Sequence, residues 1–143
     1  MTENLYGMFA GEIGESFVRI GMEKFRGSQV ADWMYKRGVY DFNQMSNLSA
    51  GMRNKLRGNF TIEFPEEQAA KQSADGKTVK SLLRFDDGAA VETVLMRQPY
   101  GNSVCVSSQV GCAMGCRFCA STLAGMERNL TGGEMLAQVQ HAQ

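Results

Sequence analysis

Three cysteines within eight residues, Cys112, Cys116 and Cys119, constrain this chain more than any other feature, because so dense a set of thiols is not ordinary core filling. Gly111 and Gly115 beside them lend the backbone the freedom to curl until all three sulfurs face one point. A structural zinc site takes four protein ligands, commonly as two close pairs separated by a longer loop. The unequal gaps here instead favour an iron-sulfur centre, in which three thiolates leave one iron open to bind a small molecule. A zinc knuckle completed by Cys105 or His141, and a redox thiol cluster, stand as the alternatives.

A chain of 143 residues with 43% hydrophobic content can bury a core, as one domain or one domain and part of another. Met1 to Glu15 carries three acids and no continuous apolar run, so neither a signal peptide nor a membrane span is expected. Four late-clustered cysteines in such a chain point to metal chemistry in a reducing cytosol and not to a disulfide framework. A formal net charge of zero gives no global argument for nucleic acid. Locally, Lys36, Arg37, Arg53, Lys55 and Arg57 stand against Asp41 alone, which suits an RNA-backbone contact or a solvated helix face.

Residues 1 to 64 read as a helical domain. Glu15 or Ser16 opens a first helix with Phe17, Val18, Ile20 and Met22 apolar. Ser28 reads as the cap of a helix over Gln29 to Arg37 stopped by Gly38, and Ser49 as the cap of another ending at Gly58. Met52, Leu56 and Phe60 recur every four residues and are expected to pack onto Trp33. Residues 65 to 97 form a hairpin region linking to a third part, 98 to 143. Turn signals at Asp75-Gly76, Asp87-Gly88 and Tyr100-Gly101-Asn102 predict an antiparallel meander of Glu67 to Ser73, Val79 to Phe85, Ala90 to Arg97 and Ser103 to Gln109. The fourth strand would run straight into the cysteine loop. Thr131 then caps a helix with Met135, Leu136 and Val139 apolar, and His141 on it is expected to face solvent. The fold class is therefore α+β, with a small helical domain, a meander, and the first β/α unit of a barrel that one unit cannot close.

The pattern C-x-x-x-C-x-x-C with Phe118 before its last cysteine resembles the radical S-adenosylmethionine (radical SAM) superfamily. A closer resemblance is carried by Tyr100 through Cys112, by Gly115-Cys116-Arg117-Phe118-Cys119-Ala120-Ser121, and by Arg128-Asn129-Leu130-Thr131. It continues upstream in Val91-Glu92-Thr93-Val94 and Phe25 to Val30. These stretches resemble the RlmN/Cfr family of radical SAM enzymes, which methylate carbon 2 or carbon 8 of an RNA adenine. Cys119-Ala120-Ser121 with Tyr100-Gly101-Asn102 is most similar to the dual-specificity members that make 2-methyladenine in 23S ribosomal RNA and transfer RNA.

The resemblance implies a 4Fe-4S cluster on Cys112, Cys116 and Cys119, S-adenosylmethionine on its open iron with Phe118 near the adenine, and an electron donor such as flavodoxin. It implies further that a 5'-deoxyadenosyl radical activates a methyl group carried on a cysteine near the family's C-terminus. By position Glu92 matches the acceptor of the proton leaving the substituted carbon, and Cys105 the thiol that releases the product by forming a disulfide with the methylated cysteine. Read without the family, Glu92 is a solvated strand residue and Cys105 a small apolar one between Val104 and Val106. No cysteine follows Cys119, so the chain alone is expected to be inactive as a methyltransferase, and the unclosed barrel to expose strand edges and an apolar helix face, with poor solubility or association as the result.

Overall fold

The computed structural model describes residues 2–143, which fall into two compact units divided between Glu63 and Phe64. The first unit runs β1 (Glu3–Asn4), α1 (Ala10–Arg19), α2 (Arg26–Arg37), a short 3-10 turn at Phe42–Gln44, α3 (Ala50–Asn59) and β2 (Phe60–Thr61). β1 and β2 pair in parallel and tie the two ends of the unit together. Its core gathers Leu5, Ile13, Phe17, Val30, Met34, Leu56 and Phe60, with Trp33 and Met52 packed against it as their spacing predicts. Ser49 caps α3 as expected, its hydroxyl accepting the Met52 amide at 3.3 Å, and Gly38 stops α2 in the left-handed region at φ 63°.

Two starts differ from expectation. α1 begins at Ala10, ahead of Glu15, because the Glu12 carboxylate reaches back to the Phe9 amide at 2.7 Å and supplies the N-terminal partner that no Ser, Thr, Asp or Asn provides. α2 begins at Arg26, and Ser28 lies inside its first turn. The amides of Arg26 and Gly27 are already satisfied by the carbonyls of Glu23 and Lys24, so no side-chain cap is required.

The second unit is built on an antiparallel sheet of β3 (Glu66–Gln72), β4 (Thr78–Arg84), β5 (Ala90–Gln98) and β6 (Gly101–Cys105) in that spatial order. This is the meander that the three turn signals predict, and Gly76, Gly88 and Gly101 adopt the positive φ the turns require. The fourth strand is shorter than expected and does not run into the cysteine loop. After β6 the chain breaks from the ladder, and a separate β7 (Gln109–Gly111) pairs antiparallel with β8 (Met126–Asn129), a strand the sequence pattern does not reveal. The break comes where the backbone of Ser107 takes its hydrogen bonds from a side chain, Gln138, in place of a neighbouring strand. α4 (Gly132–His141) follows, capped as predicted by Thr131, whose hydroxyl accepts the Glu134 amide while the Glu134 carboxylate accepts the Thr131 amide.

The buried face of α4 is Gly133, Ala137 and Gln138, with Met135 half-buried, whereas Leu136 and Val139 stand 42% and 37% exposed. Small residues let the helix lie close enough for Gln138 to reach the sheet.

Candidate functional site

The loop 112–125 carries three of the four cysteines and hangs from the β7–β8 pair. That base is anchored by apolar burial, since Val110 and Leu130 lie in a core cluster with Phe85, Ala89 and Val91. The neck is tight. Gly111 sits at φ 74°, and a Cβ built on it would stand 2.0 Å from the Gly125 carbonyl oxygen, which accepts the Cys112 amide at 3.0 Å. Within the loop Gly115 turns the chain at φ 67°, the Cys119 amide donates to the Cys116 carbonyl, and the Thr122 hydroxyl is placed against the carbonyls of Cys116 and Cys119 at 3.3 and 3.0 Å. Phe118 is 93% exposed.

Cys112, Cys116 and Cys119 are free, half-buried thiols, and Cys105 is a free, exposed one. Three soft sulfur donors on one short loop fit an iron-sulfur centre in chemistry. In geometry the loop is not drawn together: among the described residues no three His, Cys, Asp or Glu side chains form a group that could hold a metal ion. Gathering thiolates brings like charges together, and the metal bonds themselves supply the compensating energy, so folding of such a site is coupled to loading. No disulfide involves Cys105 among the described residues.

The alternative fourth zinc ligands lie outside the cysteine loop. Cys105 ends β6, and His141 Nε2 lies 2.7 Å from Glu67 Oε2, so the histidine is half in solvent with an acidic partner. The Ser81 hydroxyl first, and His141 second, hold the Glu67 carboxyl below the usual carboxylate range.

Glu92 and Cys105 share one face of the sheet. Cys105 is directly opposite Val94, and Val94 follows Glu92 by one strand period, so the two are diagonal cross-strand neighbours, a relation that typically spans about 7–8 Å. Their face is the open one: Val91 and Thr93 turn inward and are buried, while Glu92 and Cys105 are exposed. Lys80, also opposite Val94, places its Nζ 3.1 Å from Glu92 Oε1. An exposed pair of this kind contributes less than about 1 kcal/mol but biases where the carboxylate points. The Ser107 hydroxyl donates to the Glu92 carbonyl at 2.7 Å.

Two residues to which sequence reasoning gave no role organise this region. Arg128 forks onto both Glu134 oxygens at 2.9 and 2.8 Å and reaches Asp87 Oδ2 at 2.7 Å, joining β8, the start of α4 and the β4–β5 turn. The hydrogen bonding that Arg128 donates to Glu134 leads the causes that raise the Arg128 pKa. Burial alone would push the Glu134 carboxyl up, but the Arg128 fork and the Thr131 amide outweigh it and leave it below the ordinary range. Gln138 is fully buried and bonded to both Thr93 and Ser107. A capping box at Thr131 and Glu134 is readable from spacing, whereas nothing in the local pattern marks Gln138 as an inward polar group.

In the first unit, the basic residues are only partly free. Lys36 pairs with Asp32 at 2.8 Å, the Arg37 guanidinium lies 4.2 Å from the Trp33 ring centroid, and Arg53 donates to the Asn43 carbonyl at 2.6 Å. Arg57 bonds Asn54, and Lys55 and Arg57 are exposed on α3.

Residues 3–62 match a family model described as the ribosomal RNA large subunit methyltransferase N-terminal domain. Over 140 residues the chain is 46% identical to proteins of Bacillus cereus (strain ATCC 14579) and Bacillus thuringiensis (strain Al Hakam), each named "Probable dual-specificity RNA methyltransferase RlmN". Those alignments cover 98% of this chain and 38% of each relative, so the chain spans about two fifths of their length. The fold superposes with a TM-score of 0.81 and 39% identity on a radical SAM methyltransferase from Sphaerobacter thermophilus, covering 98% of this chain and 41% of that one. Sequence identity along nearly its whole length, a shared fold and the matching N-terminal domain all liken the chain to RlmN-type RNA methyltransferases.

Proposed function

We propose that this sequence supplies the cluster loop and part of the adenine-facing surface of an enzyme that methylates carbon 2 of adenine in 23S ribosomal RNA and transfer RNA. The observation that carries the proposal is the joining of two arrangements on one scaffold. A three-cysteine loop is held at a glycine neck, and beside it a sheet exposes Glu92 and Cys105 as diagonal neighbours. Cys112, Cys116 and Cys119 would hold a 4Fe-4S cluster, and Phe118, already exposed, would lie beside the adenine of S-adenosylmethionine. When bound, these cofactors supply one-electron chemistry, which carbon 2 of adenine requires because it is electron-poor and neither acidic nor nucleophilic.

The roles of the chain's own groups follow from their positions. Glu92, oriented by Lys80, is an acceptor for the proton that leaves the substituted carbon. Cys105, exposed and free on the same face, is the thiol that releases the product. Lys55 and Arg57 on α3, with Arg37 on Trp33, offer cations and an aromatic face to an RNA backbone. The setting is a reducing cytosol, with an electron donor such as flavodoxin, and no described helix is long and apolar enough to cross a membrane.

Anaerobic reconstitution with iron and sulfide tests the reading. The chain is expected to turn brown and retain about four irons, with alanine at Cys112, Cys116 or Cys119 removing most of the iron and alanine at Cys105 leaving it. A colourless protein holding one tetrahedral zinc ion would sink the proposal.

A further inference from the structure

Gln138 is a primary amide on a helix, fully excluded from solvent, and every hydrogen-bonding valence it has is used. Its Oε1 accepts from the Thr93 hydroxyl and from the Ser107 amide, both at 2.8 Å. Its Nε2 donates to the Ser107 carbonyl at 2.8 Å and to the Glu134 carbonyl, one helical turn back, at 3.3 Å. The side chain therefore treats Ser107 as a neighbouring strand would, taking both its N–H and its C=O, at the point where β6 has ended. An apolar residue would fill the same space without the desolvation cost of an amide, so packing alone does not account for a glutamine here.

What the amide grips is informative. Thr93 adjoins Glu92 on β5, and Ser107 lies two residues beyond Cys105 and also donates its hydroxyl to the Glu92 carbonyl. The next residue, Ser108, accepts the Leu130 amide at 2.9 Å and so links the same connector to the end of β8. The Thr93–Gln138 bond is buried, on the side of the sheet away from the face that presents Glu92 and Cys105.

We propose that Gln138 is a positioning residue, which acts through Ser107 and Thr93 to fix where the Glu92 carboxylate and the Cys105 thiol stand relative to each other. This rests on the roles proposed above for those two residues.

Gln138→Met keeps the length of the side chain and removes the amide. In this chain, cooperative thermal unfolding is expected to persist and the amides of α4 to stay protected, while exchange of the Ser107 amide rises by about tenfold, the scale of one to two lost hydrogen bonds. In the full-length methyltransferase carrying this sequence, the same substitution is expected to lower kcat by about tenfold with KM for RNA and iron content unchanged. Thr93→Val should reproduce a weaker form of the defect and Thr93→Ser should restore it, since serine keeps the donor. Unchanged Ser107 exchange overturns the clamp. Raised Ser107 exchange with an unaltered kcat overturns the positioning role, as does a loss of kcat accompanied by loss of iron and of cooperative unfolding. Absence of adenine methylation by the unsubstituted enzyme removes the functional reading and the positioning role with it, while leaving the exchange result standing.

Discussion

Gly111 and Gly125 meet backbone to backbone at the neck of the cysteine loop, so closely that a single methyl group on Gly111 would lie 2.0 Å from the Gly125 oxygen. The contact closes the loop through the Cys112 amide, which that same oxygen accepts, and so sets the position of the first thiol.

Gly111→Ala therefore incurs two costs, the left-handed backbone at φ 74° and a collision with main-chain atoms that have no rotamer to escape into. The conformational part alone is about 1–2 kcal/mol for a residue with a Cβ. The expected outcome is loss of hydrogen-exchange protection at Cys112 and a lower iron load on reconstitution, with the first unit unaffected. Retention of both by the alanine variant would show that the neck is looser than the contact indicates.

Arg128 and Glu134 predict an acid-sensitive base to the same loop. The Glu134 carboxyl is held below its ordinary 4.5, so its stabilising contribution is present at pH above that value and is lost as pH falls through the lowered one. Glu134→Gln keeps an oxygen for the Thr131 amide but gives up the charged fork, at a cost on the order of 1–3 kcal/mol near neutral pH. Urea unfolding followed from pH 7 downward should show wild type and variant converging in acid. A constant difference between them across that range would mean that the ion pair is not what Glu134 contributes.

The features legible in the sequence are those settled within a few residues. Ser49 and Thr131 cap their helices, and Asp75-Gly76, Asp87-Gly88 and Tyr100-Gly101 turn the meander, because capping and positive φ are local requirements. What stayed hidden depends on partners distant in sequence. The early end of β6 follows from Gln138, 31 residues beyond Ser107. β8 is a strand by virtue of β7, across the whole cysteine loop. α4 turns Ala137 and Gln138 inward because the sheet offers hydrogen bonds there, which outweighs the apolar pattern of Leu136 and Val139. The three cysteines stand in sequence as a close set of soft donors, whereas the closure of their loop by Gly111 against Gly125, 14 residues apart, is not visible in the spacing.

Tyr6 should be the last tyrosine to ionise. Burial first, and then the neighbouring Tyr40 and Tyr35 phenols, push it up to about 12 from the ordinary 10.0. Because the neutral form is the one the fold favours, this contribution to stability is intact below pH 10 and disappears as pH rises through the raised value. A spectrophotometric titration of the four tyrosines should show a late step that Tyr6→Phe removes. Ionisation of all four in one step near the ordinary value would contradict the packing of this cluster.

Two glycine-to-alanine substitutions in the first unit should move stability in opposite directions. At the crossing of α1 and α2, a Cβ on Gly27 would lie 2.4 Å from the Gly14 nitrogen and 2.7 Å from the Ala10 oxygen, both main-chain atoms. The helices would have to separate over a core that includes Ile13, Phe17 and Val30, and overpacking of this kind costs about 1–3 kcal/mol or more. Gly51, in the first turn of α3, has nothing within 4 Å of the same added atom. There, alanine only restricts the unfolded chain and improves helix propensity, for a gain of about 0.4–1 kcal/mol. Equilibrium urea unfolding of Gly27→Ala and Gly51→Ala distinguishes the cases. Effects of the same sign would mean that α1 and α2 do not cross through Gly14 and Gly27 in solution.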